Sequence, residues 1–261
     1  MPEGDTIHRV ADRLRPALVG RQLVRLELAR PVRTPPPRLG TTIDAVEAYG
    51  KHLRIRFGDG SALRTHMRMA GSWHLYRPGE RWRRGAHLAR VVLEVDEWVA
   101  VCFSAPVVEI ERDDTGTAHL GPDLTAADFD DAALDAAVER MAAFAGDEIA
   151  VALLDQRIAA GIGNVFKSEV LFIHGVDPFA PVAAVPVDTR RSLLATAAKL
   201  LRANAARPGA RVTYAGGVAV YGRERRPCRR CGTPIERRRQ GEQARSTYWC
   251  PTCQPSRVAA T

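Results

Sequence analysis

The stretch CRRCGTPIERRRQGEQARSTYWCPTC, residues 228–253, contains two Cys-x2-Cys pairs that are eighteen residues apart. Each pair can offer two thiolates from a tight turn, and this spacing is typical of a four-cysteine zinc ribbon. Four protein ligands complete a tetrahedral zinc and leave no position for a substrate or an activated water. Free thiols or a redox pair would be the alternative. The sequence therefore predicts one structural zinc ion, bound by Cys228, Cys231, Cys250 and Cys253, that holds a β-hairpin.

Positive charge is concentrated around this stretch. Ten of the 38 Lys and Arg residues lie within 221–261, together with only three of the 30 Asp and Glu residues, so nearly all of the net charge of +8 belongs to this tail. A solvated surface or a disordered arm would also be basic. Because the arginines are interleaved with Tyr221, Tyr248 and Trp249 inside a metal-held element, the composition favours a surface that binds phosphates.

Cysteine usage and hydropathy bear on the compartment. The fifth cysteine, Cys102, stands between two apolar residues and is expected to be buried. Two close cysteine pairs with metal-ligand spacing suit a metal site in a reducing compartment better than they suit a disulfide framework. The apolar runs are far shorter than the about 20 residues that span a bilayer, and the N-terminus lacks the apolar core of a signal peptide. We therefore expect a cytoplasmic protein with no membrane contact.

The rest of the chain divides by its apolar periodicity. Helical spacing from Asp5 to Gly20 predicts one amphipathic helix, and short alternating segments up to residue 108 predict a two-layer β-sandwich. The segments expected as strands are 23–28, 53–57, 88–95 and 98–103. Gly121-Pro122-Asp123 marks a linker, after which helices are expected at 129–144, 148–158, 165–174 and 190–205.

Pro2 and Glu3 stand immediately before the first predicted helix. Removal of Met1, which is normal before a small residue, would make Pro2 a free secondary amine. Such an amine attacks an aldehyde-like carbon and forms a positively charged iminium, so it is nucleophile and electron sink in one group. The helix N-terminus would favour its neutral form, and Glu3 could supply or accept a proton. Proline at position 2 is common, so the pair needs support from the rest of the chain.

A glycine-containing turn lies in the helical part, in the segment LLDQRIAAGIGN, residues 153–164. Gly161 and Gly163 allow a ligand to approach the backbone, and Asn164 can cap the next helix and donate its amide outward. An ordinary corner between two helices would show the same pattern. Taken alone, the turn favours that simpler interpretation.

Four motifs occur in one order: PEGDT at 2–6, YGKH at 49–52, GIGN at 161–164 and RSTYWCP at 245–251. In this combination, which covers almost the whole chain, the sequence resembles the Fpg/Nei family of DNA glycosylases. The resemblance implies an α+β multidomain fold with an N-terminal β-sandwich flanked by helices, a helical helix-two-turn-helix domain and a C-terminal zinc-finger β-hairpin. The expected bounds are 1–118 for the catalytic sandwich, 119–130 for a linker, 131–218 for the helical DNA-binding domain and 219–255 for the zinc finger.

The resemblance also implies roles for single residues. Pro2 looks like the Schiff-base nucleophile at the sugar C1′, and Glu3 like the acid that assists opening of the sugar ring. Lys51 looks like the lysine that contacts phosphate and donates a proton in β-elimination. Asn164 matches the phosphate-binding residue of the helical turn. Arg245 matches the zinc-finger arginine that grips the phosphates flanking the lesion and is associated with δ-elimination.

Two branches of the family compete. The PEGDT opening resembles endonuclease VIII, and 101–106 (VCFSAP) lacks the Arg-Arg-Phe-Gly signature of the purine-specific formamidopyrimidine glycosylases, which favours oxidised pyrimidines. The segment HMRMAG at 66–71 departs from the Gln-Leu-Tyr wedge of endonuclease VIII and leaves Met69 as the apolar inserter, with Arg68 as its polar neighbour. His119 falls where endonuclease VIII has an arginine that contacts DNA; it contacts DNA or is a surface histidine.

We therefore expect a bifunctional DNA glycosylase/AP lyase of base excision repair that removes oxidised pyrimidines and nicks the strand by β,δ-elimination. Its expected partner is damaged DNA, and its expected state is a monomer with one structural zinc ion and no nucleotide cofactor. One alternative is a formamidopyrimidine- or 8-oxoguanine-type purine glycosylase of the same fold. Another is a noncatalytic zinc-ribbon DNA-binding protein, against which the joint presence of Pro2, Glu3 and Lys51 argues.

Overall fold

The computed structural model describes residues 2–112, 116–207 and 209–256. The chain divides into two compact units, Met1–His119 and Leu120–Thr261. In the described residues no helix is both long and apolar enough to cross a bilayer.

The described part of the first unit contains one α-helix and eight strands, with a short 3-10 helix at Ala86–Leu88. They are α1 (Gly4–Leu18), β1 (Arg25–Leu28), β2 (Ile43–Tyr49), β3 (His52–Phe57), β4 (Ala62–His66), β5 (Ser72–Tyr76), β6 (Ala89–Val95), β7 (Trp98–Phe103) and β8 (Val107–Glu111).

The strands form two four-stranded antiparallel sheets, in the orders β1-β6-β7-β5 and β2-β3-β4-β8. One core lies between them and also takes the apolar face of α1: it includes Ile7 and Leu14 of the helix, Ile55 of one sheet and Leu93 and Cys102 of the other. The expected two-layer sandwich is therefore confirmed. Cys102 is buried, as expected from the sequence, and burial raises the pKa of its thiol to about 12.

Half of the strands, β2, β4, β5 and β8, were not expected from the sequence, and in β4 and β8 buried charges interrupt the apolar alternation. Arg54 of β3 and Arg64 of β4 are cross-strand neighbours, and both pair with the buried carboxylate of Glu111 on β8, at 3.0 and 2.9 Å. All three side chains are less than a tenth exposed. A buried ion-pair cluster thus occupies positions that the alternation of apolar and charged residues along a strand would assign to the solvent-facing side.

The described part of the second unit contains four α-helices and one hairpin, with a short 3-10 helix at Val182–Ala184. They are α2 (Asp131–Ala142), α3 (Ile149–Ala152), α4 (Asn164–Ile173), α5 (Val187–Ala205), β9 (Glu236–Gln240) and β10 (Arg245–Trp249). Helix α5 packs against α2 and α4 around one apolar core, and β10 packs against α4. The helical part and the zinc-finger hairpin of the expected fold are both present.

The helix expected over 148–158 is wrong beyond Ala152, where α3 ends. Polar side chains stabilise a turn instead: Asp155 Oδ1 accepts the backbone N–H of Arg157 at 2.9 Å, and Gln156 Oε1 accepts that of Gly161 at 3.0 Å. Such side-chain bonds to the backbone compete with helix formation. Gly161 has a φ of +111°, which is why the turn needs glycine at this position.

Candidate functional site

The N-terminal end of α1 carries the first two candidate residues. Glu3 is the N-cap, and its carbonyl accepts the backbone N–H groups of Thr6 at 2.9 Å and Ile7 at 3.1 Å. The Glu3 residue is 0% exposed. Pro2 precedes the cap at the positive end of the helix dipole, which favours the neutral form of an amine. The helix thus brings a buried carboxyl group next to Pro2.

Lys51 lies in the tight turn between β2 and β3, beside two histidines that face each other across β3 and β4. The rings of His52 and His66 meet edge to face, with centroids 4.8 Å apart. The guanidinium of Arg64 donates to Nδ1 of His52 at 3.1 Å, which leaves the ring proton on Nε2. Burial lowers the pKa of His52 to about 3 and that of His66 to about 4, so both rings are neutral at neutral pH.

Three of the predicted site residues share this neighbourhood. Burial has the largest effect on the pKa of His52, and the ring of His66 has the next largest. The charges of Arg64, His119 and Lys51 lower this pKa further. The charges of Lys51 and Arg68 have the same effect on His66. The first unit therefore brings Lys51, Arg68 and His119 together around the histidine pair, and the side chain of His119 is exposed.

Met69 lies in a tight turn after β4 and is 67% exposed. Gly71 donates its N–H to the carbonyl of Met67 at 2.8 Å, and a Cβ at Gly71 would lie 2.6 Å from that backbone, so the turn needs glycine here. Arg68 adopts a φ of +42° and donates its backbone N–H to Nδ1 of His66 at 3.1 Å. The half-buried His66 thus holds the turn that exposes Met69.

Sequence reasoning missed Arg84, which holds the same turn from the other side. Its guanidinium donates to the carbonyl of Ala70 at 3.3 Å, to Oγ of Ser72 at 3.0 Å and to Oγ of Ser104 at 3.3 Å. Ser104 begins the loop after β7 with a φ of +54°. Arg84 therefore ties the Met69 turn to this loop, a link that only the pairing of β5 with β7 creates.

The four cysteines of the hairpin form one metal site. Their sulfur atoms all lie within 4.8 Å of one another; Cys231 and Cys250 are 3.4 Å apart, and Cys228 and Cys253 are 3.9 Å apart. Four zinc–sulfur bonds of about 2.3 Å in a tetrahedron place sulfurs about 3.8 Å apart. The donor set therefore fits one structural zinc ion, which would fix the ends of β9 and β10.

Asn164 and the strand of Arg245 are neighbours in the second unit. The N-cap of α4 is Gly163, so the expectation that Asn164 caps this helix is wrong. The Asn164 amide donates not outward but to the carbonyl of Ser246, at 2.6 Å. Ser246 follows Arg245, whose guanidinium donates to the side-chain oxygen of Gln243 at 3.0 and 3.2 Å. The glycine turn and the hairpin therefore meet at these residues.

Lys167 was also missed. Its ammonium lies between the turn and the hairpin and donates to Oδ1 of Asn164 and to Oγ1 of Thr247, both at 2.7 Å. The only signal in the sequence is its spacing of three residues from Asn164, which places both side chains on one face of a helix.

The fold and these sites define a DNA glycosylase of the helix-two-turn-helix class. The chain belongs to the Fpg/Nei family. Models of the formamidopyrimidine-DNA glycosylase N-terminal domain, of its H2TH domain and of the zinc finger found in FPG and IleRS match residues 1–106, 120–214 and 226–255.

Two relatives match along nearly their whole length. The "probable endonuclease 8 2" of Streptomyces coelicolor is 44% identical, over 97% of this chain and 94% of the relative. The "DNA-(apurinic or apyrimidinic site) lyase Nei2" of Mycolicibacterium smegmatis is 37% identical, over 97% and 99%. The fold is similar to that of the Lactococcus lactis formamidopyrimidine DNA glycosylase crystallised with DNA containing an AP site, with a TM-score of 0.80, 22% identity and coverage of 98% and 100%.

The half-buried histidine pair predicts a loss of stability in acid. An unfolded histidine titrates near 6.5, so the unfolded chain binds more protons than the folded one from about pH 6.5 down to about pH 4, and stability falls with pH over this range. His52→Asn keeps an acceptor for Arg64 but does not titrate. We expect its Tm to fall less than that of the wild type between about pH 7 and pH 5 in thermal unfolding.

The matched control for this measurement is His87→Asn, which changes an exposed histidine of the same unit. An equal fall of Tm in the wild type and His52→Asn would show that burial of this ring does not couple to folding.

The zinc site predicts a local effect of ligand loss. Cys228→Ser should lose the zinc ion and unfold the hairpin while the β-sandwich stays folded, because a structural metal folds its own element. Metal analysis and circular dichroism measure the two effects. Cys102→Ala, which removes a thiol outside the cluster, should keep one zinc per chain. Zinc retained in Cys228→Ser at wild-type stoichiometry would contradict the four-thiolate site.

Proposed function

We propose that this protein is a bifunctional DNA glycosylase/AP lyase that acts on damaged DNA in base excision repair. The observation that carries the proposal is the placement of Pro2 directly before the buried Glu3 at the N-terminus of α1. The reaction needs Met1, which lies outside the described residues, to be removed. Family membership and the lyase activity named for the Mycolicibacterium relative support this assignment.

Base removal follows from the chemistry of the Pro2 amine. Its lone pair attacks C1′ of the damaged nucleotide, and the bond from C1′ to the base breaks, so the base leaves with that electron pair and takes up the proton that the amine loses. Glu3 then donates a proton to the ring oxygen as the sugar opens, and the amine becomes an iminium. The nucleotide must leave the base stack for this attack, and an exposed apolar side chain such as Met69 suits the vacated space.

Strand cleavage follows from the iminium. It acidifies the C–H bond at C2′, and loss of that proton expels the 3′ phosphate by β-elimination. Lys51 is proposed to contact phosphate and to donate a proton in this step, and Arg245 to support the second, δ-elimination that releases the 5′ phosphate. Water then hydrolyses the Schiff base and frees Pro2. Asn164 is proposed to bind phosphate, and Arg68 and His119 to contact DNA near the lesion.

Oxidised pyrimidines are the proposed substrates. The support is the endonuclease 8 name of the Streptomyces relative together with the absence of Arg-Arg-Phe-Gly at 101–106. The three family matches support the domain division proposed from the sequence, and the bacterial relatives support a cytoplasmic location. The working unit is proposed to be a monomer.

Borohydride trapping tests the nucleophile and the substrate together. Pro2 should become covalently linked to DNA containing thymine glycol, 5-hydroxyuracil or an abasic site, and more slowly to 8-oxoguanine DNA. Pro2→Gly should weaken trapping, and a chain that retains Met1 should show none. The chain has only three lysines, Lys51, Lys167 and Lys199, so peptide mapping separates the possibilities cleanly. An adduct on Lys51 would overturn the assignment, and a preference for 8-oxoguanine would favour the purine alternative.

Glu3 should separate the two activities. Because its proposed proton transfer opens the sugar ring of the damaged nucleotide, Glu3→Gln should slow base excision by roughly 100-fold or more. Cleavage at a preformed abasic site should stay within about tenfold of the wild type, because the sugar of an abasic site also opens to its aldehyde in water without the enzyme. Single-turnover assays on lesion and abasic duplexes give both rates. Equal loss of both activities would instead indicate a defect in folding or positioning.

A further inference from the structure

Lys167 is a buried cation in the middle of the second unit's polar contacts. Its side chain is 1% exposed, on the face of α4 that meets β10. Besides Asn164 and Thr247, each at 2.7 Å, its ammonium reaches the carbonyl of Ser246 at 3.4 Å. A buried ammonium is tolerated only where acceptors surround it, so the position is built around this group.

The ammonium fixes the orientation of the Asn164 amide. An ammonium only donates hydrogen bonds, so the amide oxygen of Asn164 has to face Lys167. The amide nitrogen is then directed to the carbonyl of Ser246, which it reaches at 2.6 Å. A neutral side chain at 167 would leave the amide oxygen of Asn164 without this donor.

The same ammonium fixes the hairpin. Oγ1 of Thr247 accepts from Lys167 and therefore donates onward to Oε1 of Gln240 on β9, at 2.6 Å. The amide nitrogen of Gln240 donates to Glu148 at 2.7 Å and to the carbonyl of Pro178 at 3.0 Å. The donor and the acceptor of each hydrogen bond in this series are therefore fixed, from α4 through β10 and β9 to the segment before α3.

The choice of lysine is informative in a chain whose 38 cationic side chains include only three lysines. Lys51 is the proposed proton donor and Lys199 is exposed on α5. A guanidinium is a wide planar fork, whereas an ammonium is a compact point charge with three donors. The small space between Asn164, Ser246 and Thr247 suits the compact group.

We propose that Lys167 is a positioning residue for phosphate binding. It holds the Asn164 amide and the backbone that carries Arg245 in one arrangement, so that the helical turn and the zinc hairpin present their phosphate contacts together. This inference rests on the proposed function, because it takes the phosphates to be those of DNA around the lesion.

The test is a double-mutant cycle on a duplex with a tetrahydrofuran abasic analogue. Lys167→Met should weaken binding roughly tenfold, within the range of coupling energies between residues in contact. Asn164→Ala should have a comparable effect, and the double variant should bind no more than about twofold weaker than Asn164→Ala alone. In single-turnover nicking of abasic DNA, Lys167→Met should raise the enzyme concentration that gives the half-maximal rate more than it lowers the rate at saturating enzyme. Lys199→Met makes the same chemical change at an exposed site and should leave binding unchanged.

Further measurements separate positioning from folding. Zinc content and Tm are measured for every variant, and Thr247→Val, which removes one acceptor from Lys167 with little change of volume, carries the test if Lys167→Met does not fold. It should show the same lack of additivity with Asn164→Ala. Additive losses, or unchanged binding in both Lys167→Met and Thr247→Val, would overturn the inference. Wild-type protein that neither binds nor nicks abasic DNA would instead overturn the proposed function.

Discussion

The polar side chains buried along α4 are the constraint on which the second unit depends. Asn164, Lys167 and Glu169 are each at most a twentieth exposed, although they lie in one helix of ten residues. Burying a polar group that has no hydrogen bond destabilises the fold, by an amount that depends on the surroundings and reaches several kcal/mol. The hairpin satisfies Asn164 and Lys167. Glu169 accepts the backbone N–H groups of residues 219, 220 and 221 at 2.6, 2.9 and 2.8 Å, and also the hydroxyl of Thr213.

This arrangement joins the zinc finger to the helices by hydrogen bonds in addition to apolar packing. The segment before the first cysteine pair is tied to α4 through Glu169, and β10 is tied to it through Asn164 and Lys167. Networks of this kind stabilise one arrangement when complete and destabilise the fold when one member is lost. The zinc ion fixes the shape of the hairpin, and the hydrogen bonds fix where that shape is attached.

The sequence predicted the elements whose signals are local and missed those that depend on distant partners. The four cysteines, helix α1 and four of the strands follow from spacing within short segments. The missed strands include β4, whose Arg64 is buried together with its partner Glu111, on a strand about fifty residues away. The candidate site divides in the same way. Its residues came from motif resemblance, but the neutral pair of His52 and His66 depends on the register of two strands, which no local pattern gives.

The two units handle their proposed DNA contacts by different physical means. In the first unit, partial burial keeps two histidines uncharged, so they add no positive charge beside Lys51, and the charge of Arg68 is on an exposed side chain. The Met69 turn is held by a hydrogen bond from the backbone of Arg68 to His66 and by one from Arg84 to the carbonyl of Ala70, and its exposed tip can change without leaving a buried group unsatisfied. In the second unit, a change at Asn164 or Lys167 would leave partners buried and unsatisfied. Variation in lesion preference is therefore expected to be easier to accommodate in the turn at 66–71 than in the network around α4.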